Sequence, residues 1–259
     1  MTRKERWQAL LDLLVERGEL EVEPAAETLG VSAATIRRDL DQLAEQQLLV
    51  RTRGGAVLHG VSYELPLRYR TSRRAAEKRR ISEAVASLIG PGEVIGLTGG
   101  TTTTEVARAL AARPDLAAGS PALTVVTNAL NIAGELVIRP QFKIVLTGGV
   151  ARPQSYELTG PLAEEVLGQL SVDTAVLGVD GFDPADGAAT RHEDEAAVNR
   201  LLCERARRVV IAADSSKLGV RAFARICATE SVDILITDTG LPTPVAEAFE
   251  AAGVEVARV

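Results

Sequence analysis

Apolar residues recur at helical spacing through the first fifty positions of the chain. Trp7, Leu10, Leu11 and Leu14 lie at i, i+3, i+4 and i+7 and predict a helix ending near Gly18. Val22 to Leu29 reads as a second, shorter helix. Gly30-Val31-Ser32 then forms a turn, and Ile36, Leu40 and Leu43 give a third helix its apolar face. Ser32 suits the N-cap of that helix, because its side-chain oxygen can accept from an N–H of the first turn. At about 100° per residue, Arg38 points away from the apolar face, with Ala34 one turn earlier and Arg37 on its flank. The helix would therefore pack on one side and present small residues, the Thr35 hydroxyl and two guanidiniums near its start. A major-groove helix needs that design: small residues let it sit deep, and Arg bonds bidentately to guanine or phosphate. Leu48 to Leu58 (L-L-V-R-T-R-G-G-A-V-L) follows as two β-type runs about a Gly54-Gly55 turn, with Arg51 and Arg53 on alternating positions. Residues 1–59 are thus expected to form a winged helix-turn-helix. Ser32, Thr35, Arg37, Arg38, Arg51 and Arg53 are its candidate contacts to double-stranded DNA.

The pattern then changes. Gly60 to Ser72 is polar, holds Pro66 and lacks a clear period, so residues 60–74 read as a linker. Helical spacing returns over 75–89 through Ile81, Val85 and Leu88. From Glu93 onward, short apolar runs alternate with helical segments. The runs are Val94–Leu97, Leu123–Val126, Lys143–Leu146, Ala175–Val179, Val209–Ala212, Ile234–Ile236 and Val254–Val256. Between them lie Glu105–Ala111, Asn131–Ile138, Leu162–Leu170, Glu195–Ala206 and Val245–Ala251. Such alternation predicts a mostly parallel, open α/β sheet over 75–259, with a ligand at the carboxyl ends of the strands.

Those carboxyl ends collect polar chemistry. Val94–Leu97 runs into T-G-G-T-T-T-T (Thr98 to Thr104) and then a helix. Gly99 and Gly100 let backbone come close to a ligand, the helix N-terminus favours an anion, and Thr101, Thr102 and Thr103 add hydroxyls. The loop has neither the Lys of a Walker A motif nor the spacing of a dinucleotide fingerprint, so ATP and NAD fit poorly. The other strands end at Thr127-Asn128, Thr147-Gly148-Gly149, Asp180-Gly181, Asp214-Ser215-Ser216-Lys217 and Thr237-Asp238. A carboxylate, an ammonium and hydroxyls beside an anion cradle suit a small phosphorylated polyol.

Charge sharpens the division. The 259 residues carry a net −6, which disfavours DNA until it is divided. Residues 1–50 hold six Lys/Arg against ten Asp/Glu, whereas 51–80 hold nine Lys/Arg against Glu64 and Glu77. Basic charge is concentrated in the wing and linker, and local potential governs phosphate attraction within about 10 Å. Weak non-specific binding is expected. The chain opens M-T-R-K-E-R-W and has no run of 18 apolar residues, so a membrane span or secretion is not expected, and a cytoplasmic location is. Cys203 and Cys227 lie in apolar or helical surroundings and read as reduced core residues. Two histidines without CxxC or HxxxH make a zinc site improbable. No cofactor is expected.

Together these residues resemble the DeoR family of bacterial transcriptional regulators, over nearly the whole chain. V-S-A-A-T-I-R-R-D-L (31–40) and R-T-R-G-G-A (51–56) look like its DNA-binding head. E-K-R-R-I (77–81), G-G-T-T (99–102), V-T-N (126–128), T-G-G (147–149), D-S-S-K (214–217) and I-T-D (236–238) look like its sensor. The resemblance implies a sensor similar in fold to ribose-5-phosphate isomerase, and a repressor of a sugar operon released by a phosphorylated sugar. It places inducer-responsive residues at Lys78, Asp214 and Lys217. It departs at Thr98, where the family usually has Asp, and at Asn199, where it usually has Lys. The effector set expected is Lys78, Gly99, Gly100, Thr101, Thr102, Thr103, Asn128, Gly148, Gly149, Asp180, Asp214 and Lys217. A homo-oligomer, dimer or tetramer, is expected, because one head reads too few base pairs.

The alternative is an enzyme, a sugar-phosphate isomerase or deaminase fused to a DNA-binding head. It needs a carboxylate base beside the sugar's reacting carbons. Glu193 and Glu195 are the candidates, although Asp186 to Glu195 lacks the glycine-rich loop of those isomerases. No catalytic residue is expected on the leading reading.

Overall fold

The computed structural model describes residues 1–46, 48–57, 67, 73–117 and 121–259, apart from the side chains of Val15 and Glu16. Of the expected linker, only Leu67, Arg73 and Arg74 are among them, and Leu58 and His59 at the end of the wing lie outside. The chain forms two compact units, Met1–Arg73 and Arg74–Val259.

The first unit runs α1 (Arg3–Arg17), β1 (Glu19–Glu21), α2 (Val22–Leu29), α3 (Ala33–Glu45), β2 (Val50–Arg51) and β3 (Gly55–Val57). Leu10, Leu11 and Leu14 of α1 and Ile36, Leu40 and Leu43 of α3 are all buried in one cluster with Trp7, as their spacing predicts. Gly18 ends α1 at φ 78°, and Gly30 ends α2 in the left-handed region at φ 63°, where glycine carries no Cβ penalty. Ser32 caps α3, accepting from the Thr35 N–H.

Two features of the wing differ from expectation. β1, which the helical pattern hides, joins the hairpin, and the sheet order is β1-β3-β2. Gly55 is a strand residue rather than part of the turn: it pairs with Glu21, and Thr52 to Gly54 make the connection. The physical reason is close backbone packing. A Cβ on Gly55 would lie 1.7 Å from the Leu20 carbonyl oxygen, whereas one on Gly54 would meet open space.

The second unit opens with α4 (Ala75–Ser87). A seven-stranded, wholly parallel sheet follows, built from β4 (Val94–Leu97), β5 (Leu123–Thr127), β6 (Phe142–Leu146), β9 (Val172–Leu177), β12 (Ala206–Ala212), β14 (Ile234–Thr237) and β15 (Glu255–Arg258). These are the seven expected runs, in the order β15-β14-β12-β9-β4-β5-β6. The connecting helices are α5 (Thr101–Ala111), α6 (Leu130–Leu136), α7 (Pro161–Gly168), α8 (Glu193–Glu204) and α9 (Thr243–Ala251). One apolar cluster holds Ile81 and Val85 of α4 with Val106 and Leu110 of α5, and a second holds Val198 and Leu202 of α8 with Phe249 of α9.

Two antiparallel additions have no counterpart in the expected strands. β7 (Val150–Ala151) pairs with β8 (Leu158–Thr159). β10 (Gly181–Asp183), β11 (Gly187–Thr190) and β13 (Ala224–Cys227) form a small sheet in that order. Their runs of two to four residues are too short to register against helical and parallel-strand patterns. Both matter, because they deliver side chains to the carboxyl end of the main sheet.

Candidate nucleic-acid interface and effector pocket

In the first unit, α3 presents the expected face. Ser32, Ala34, Arg37 and Arg38 are exposed and Thr35 is half-buried. The Thr35 hydroxyl lies 2.9 Å from that of Ser32. Arg37 forms a 2.8 Å ion pair with Glu23 of α2, both well exposed. Such a surface pair stabilises by only about 0–1 kcal/mol, so it pre-positions the guanidinium without sequestering it. Arg38 and Arg53 are exposed and have no side-chain partner among the described residues. Arg51 is more engaged than expected. It donates to Asp41 at 2.8 Å and to the Gly55 carbonyl, which ties the wing to α3.

Asp39 was not a candidate, yet it fixes the face. It is buried, accepts from the Trp7 indole N–H at 2.9 Å, and is bonded to Arg6. That bond, ahead of the opposing effect of burial, raises the Arg6 guanidinium. One carboxylate thus clamps α3 to α1. Its only trace in the sequence is an acidic residue one position before the buried Leu40.

In the second unit, the strand ends converge as expected, and the hydrogen bonding refines what each residue can do. Gly100 N-caps α5 at φ 131° and, being glycine, has no side chain to cap the first N–H groups of the helix. The threonines are less available than expected. Thr103 and Thr104 donate back to the Gly100 carbonyl, at 3.1 and 2.6 Å, and Thr102 and Thr103 are buried. Thr101 remains half-buried. Thr98 is fully buried and accepts from the Gly178 N–H at 2.9 Å, binding β4 to β9. Gly99 gives Glu157 its room: a Cβ there would stand 2.3 Å from the Glu157 side chain, which would have to move.

Asn128 is buried; its amide donates to Glu157 at 3.0 Å, and its Oδ1 is left without a partner. Asp180 pairs with Lys217 at 3.2 Å and accepts from the Thr190 hydroxyl and the Arg191 N–H. Asp214 caps the short turn at Ser216, with the Arg74 guanidinium 3.5 Å away. Gly148 and Gly149 sit at φ 76° and 117°, and a Cβ on Gly149 would lie 2.6 Å from the Thr159 carbonyl oxygen. Lys78 is buried one turn into α4, whose preceding residue Arg74 is the group that reaches Asp214 and Ser215. Burial works to raise the Asp238 carboxyl. The Ser215 and Gly240 N–H groups, the Ser215 hydroxyl and the Arg74 charge outweigh it and hold Asp238 below its ordinary value.

The small sheet and the β7–β8 hairpin supply residues the sequence did not single out for binding. Glu195, buried at the start of α8, pairs with Arg152 at 2.8 Å and accepts from Thr190 at 3.3 Å. Both carboxylate oxygens of Glu195 are therefore occupied, so it does not stand as a free base for aldose–ketose chemistry, and Glu193 is exposed. Asn199 is buried with an unpaired Oδ1. Among the described residues, no cluster of three or more His, Cys, Asp or Glu could hold a metal ion, and no helix is long and apolar enough to cross a membrane.

The DeoR-like helix-turn-helix domain matches residues 6–60, and the DeoR C terminal sensor domain matches 73–239. The chain belongs to the DeoR family. This DeoR-family chain is a DNA-binding transcriptional regulator. It is 35% identical to the HTH-type transcriptional regulator GlpR of Haloferax volcanii, over 99% of this chain and 98% of that one. It is 33% identical to the glycerol-3-phosphate regulon repressor of Escherichia coli (strain K12), over 95% and 94%. Among solved structures it is similar to ribose 5-phosphate isomerase A from Methanocaldococcus jannaschii, with 18% identity and a TM-score of 0.40 over 54% of this chain and 52% of that one.

Proposed function

We propose that this DeoR-family regulator represses a sugar-metabolism operon in the cytoplasm and is released by a phosphorylated sugar. On this reading residues 1–59 are the reading head, 60–74 the linker and 75–259 the sensor. In the head, α3 enters the major groove, where Ser32, Thr35, Arg37 and Arg38 meet bases and phosphates, and Arg51 and Arg53 of the wing anchor the backbone. Arg38→Ala should cost about 1–3 kcal/mol at the operator and relax specificity at one position. A homo-oligomer, dimer or tetramer, pairs two heads on repeated half-sites, and footprinting should then protect at least two helical turns.

The observation that carries the sensor reading is the N-terminus of α5, without a side-chain cap, beside the unpaired Asn128 oxygen and the Asp180–Lys217 pair. An anion is favoured at such a helix end, so the phosphate sits on Gly99 to Thr103. Asn128, Asp180, Asp214, Lys217 and the Gly148-Gly149 backbone hold the polyol, with Glu157 as a further acceptor for hydroxyls. Lys78, just after the linker, responds to occupancy. Weakening operator binding tenfold needs about 1.4 kcal/mol of coupling, within reach of one or two charge-assisted bonds.

Calorimetry of sugar phosphates and their unphosphorylated parents tests this, on wild type and on Lys217→Ala and Lys78→Ala. The variants should keep operator binding and lose the response. Equal binding of free sugars, or a normal response in both variants, removes the phosphate cradle. Incubation with ribose 5-phosphate and glucosamine 6-phosphate should give no turnover.

A further inference from the structure

At the opposite end of the second unit's sheet lies a pocket that the effector reading does not use. It is lined by Arg200, Cys203, Arg207, Arg225, Cys227 and Asp233, among others. Both cysteines of the chain are here. Cys203 is buried near the end of α8, and Cys227 ends β13 and is partly exposed. They are 24 positions apart in sequence, so no motif announces them, yet both line this one pocket, where Arg200 of α8 donates to the Arg225 and Ile226 carbonyls of β13. The apolar surroundings expected of them are present, Cys203 within an apolar cluster and Cys227 packed against it, and the guanidiniums of Arg200, Arg207 and Arg225 line the same pocket.

We propose that Cys203 and Cys227 are a dithiol that hydrogen peroxide oxidises reversibly to an intramolecular disulfide, with Cys227 as the attacking thiol and Cys203 as the resolving one. Two thiols on the wall of one pocket, the partial exposure of Cys227 and the surrounding guanidiniums are the three features such a site needs. The roles follow from the surroundings. The hydrogen bond from Cys203 acts first on Cys227; burial opposes it, and the Ala188 backbone with the Arg225 and Arg200 charges completes a net lowering of that thiol. The same bond to Cys227, followed by burial, pushes Cys203 up. The Cys227 thiolate attacks one peroxide oxygen, and the O–O bond breaks. The departing hydroxide takes up the proton that Cys227 lost, which gives water and a sulfenic acid. The Cys203 sulfur then attacks the Cys227 sulfur. The S–O bond breaks, and the leaving hydroxide takes the Cys203 proton as a second water. Two thiols are oxidised to one disulfide, and one peroxide is reduced to two waters. The new bond would join α8, which carries Glu195, to β13, the neighbour of the β11 strand that carries Thr190.

The test is intact-mass and peptide mapping of the full chain after peroxide treatment. Wild type should lose about 2 Da, recovered with dithiothreitol, and yield a Cys203–Cys227 cross-linked peptide. Unchanged mass, addition of oxygen without a cross-link, or a disulfide between two chains overturns the proposal. Dimedone then assigns the roles. Cys203→Ser should trap a Cys227 sulfenic acid, while Cys227→Ser should leave Cys203 at least tenfold less labelled. Equal labelling of the two variants overturns the assignment of attacker and resolver. The wild-type arm does not depend on either variant folding.

Discussion

The two units of this regulator place their functional groups by opposite strategies. In the first, the candidate contacts of α3 fall within seven residues, Ser32 to Arg38, and one helix orients them. In the second, the groups come from the ends of different strands, from an antiparallel sheet and from a hairpin. Arg152 and Glu195, 43 positions apart, are in direct contact. A surface that reads a groove can be written on one helix, because the groove admits a helix whole. A pocket must surround its ligand, and only distant segments can supply its several walls.

The contrast predicts that the first unit fails at single points of support. Gly55→Ala, the largest effect expected, forces a Cβ into the Leu20 carbonyl. It should lower stability by about 3 kcal/mol, as overpacking does, while Gly54→Ala should be nearly silent. Denaturant melts of both compare them directly, and equal losses would refute the backbone contact as the cause. Asp39→Ala should follow at about 2 kcal/mol, since it leaves the Trp7 indole and Arg6 unpaired. Trp7 is the only tryptophan of the chain, so its emission should shift as the indole loses its partner.

The second unit should show its support in acid. The Asp238 carboxyl lies lower folded than unfolded, so its contribution is fully present above the unfolded value, about 3.9. It is lost as pH falls through the lower folded value. Asp238→Asn should therefore flatten the acid limb of stability against pH; an unchanged limb would mean its hydrogen bonds add nothing. The smallest effect is Arg53→Ala, an exposed guanidinium without a partner among the described residues. Operator and random DNA should weaken alike, with the salt slope reduced by about 1. A change confined to the operator would make Arg53 a base reader.

What the sequence determined by itself was whatever depends on neighbours along one element. Helical spacing set α1, α2 and α3 and their apolar faces; alternation of runs set the seven parallel strands and their polar ends. Side-chain direction repeats with the period of the element, so local pattern reports burial directly. The tertiary structure decided what depends on partners across elements. It buried Asp39 against Trp7, 32 positions away, and moved Gly55 from turn to strand. It turned the Thr103 and Thr104 hydroxyls back on Gly100, occupied Glu195 with Arg152 and Thr190, and set Cys203 and Cys227 on one pocket. A carboxylate in a list of residues has the same chemistry whether it faces water or an indole. Only chain crossing fixes which one it meets, and a buried polar group must find a partner there or remain costly.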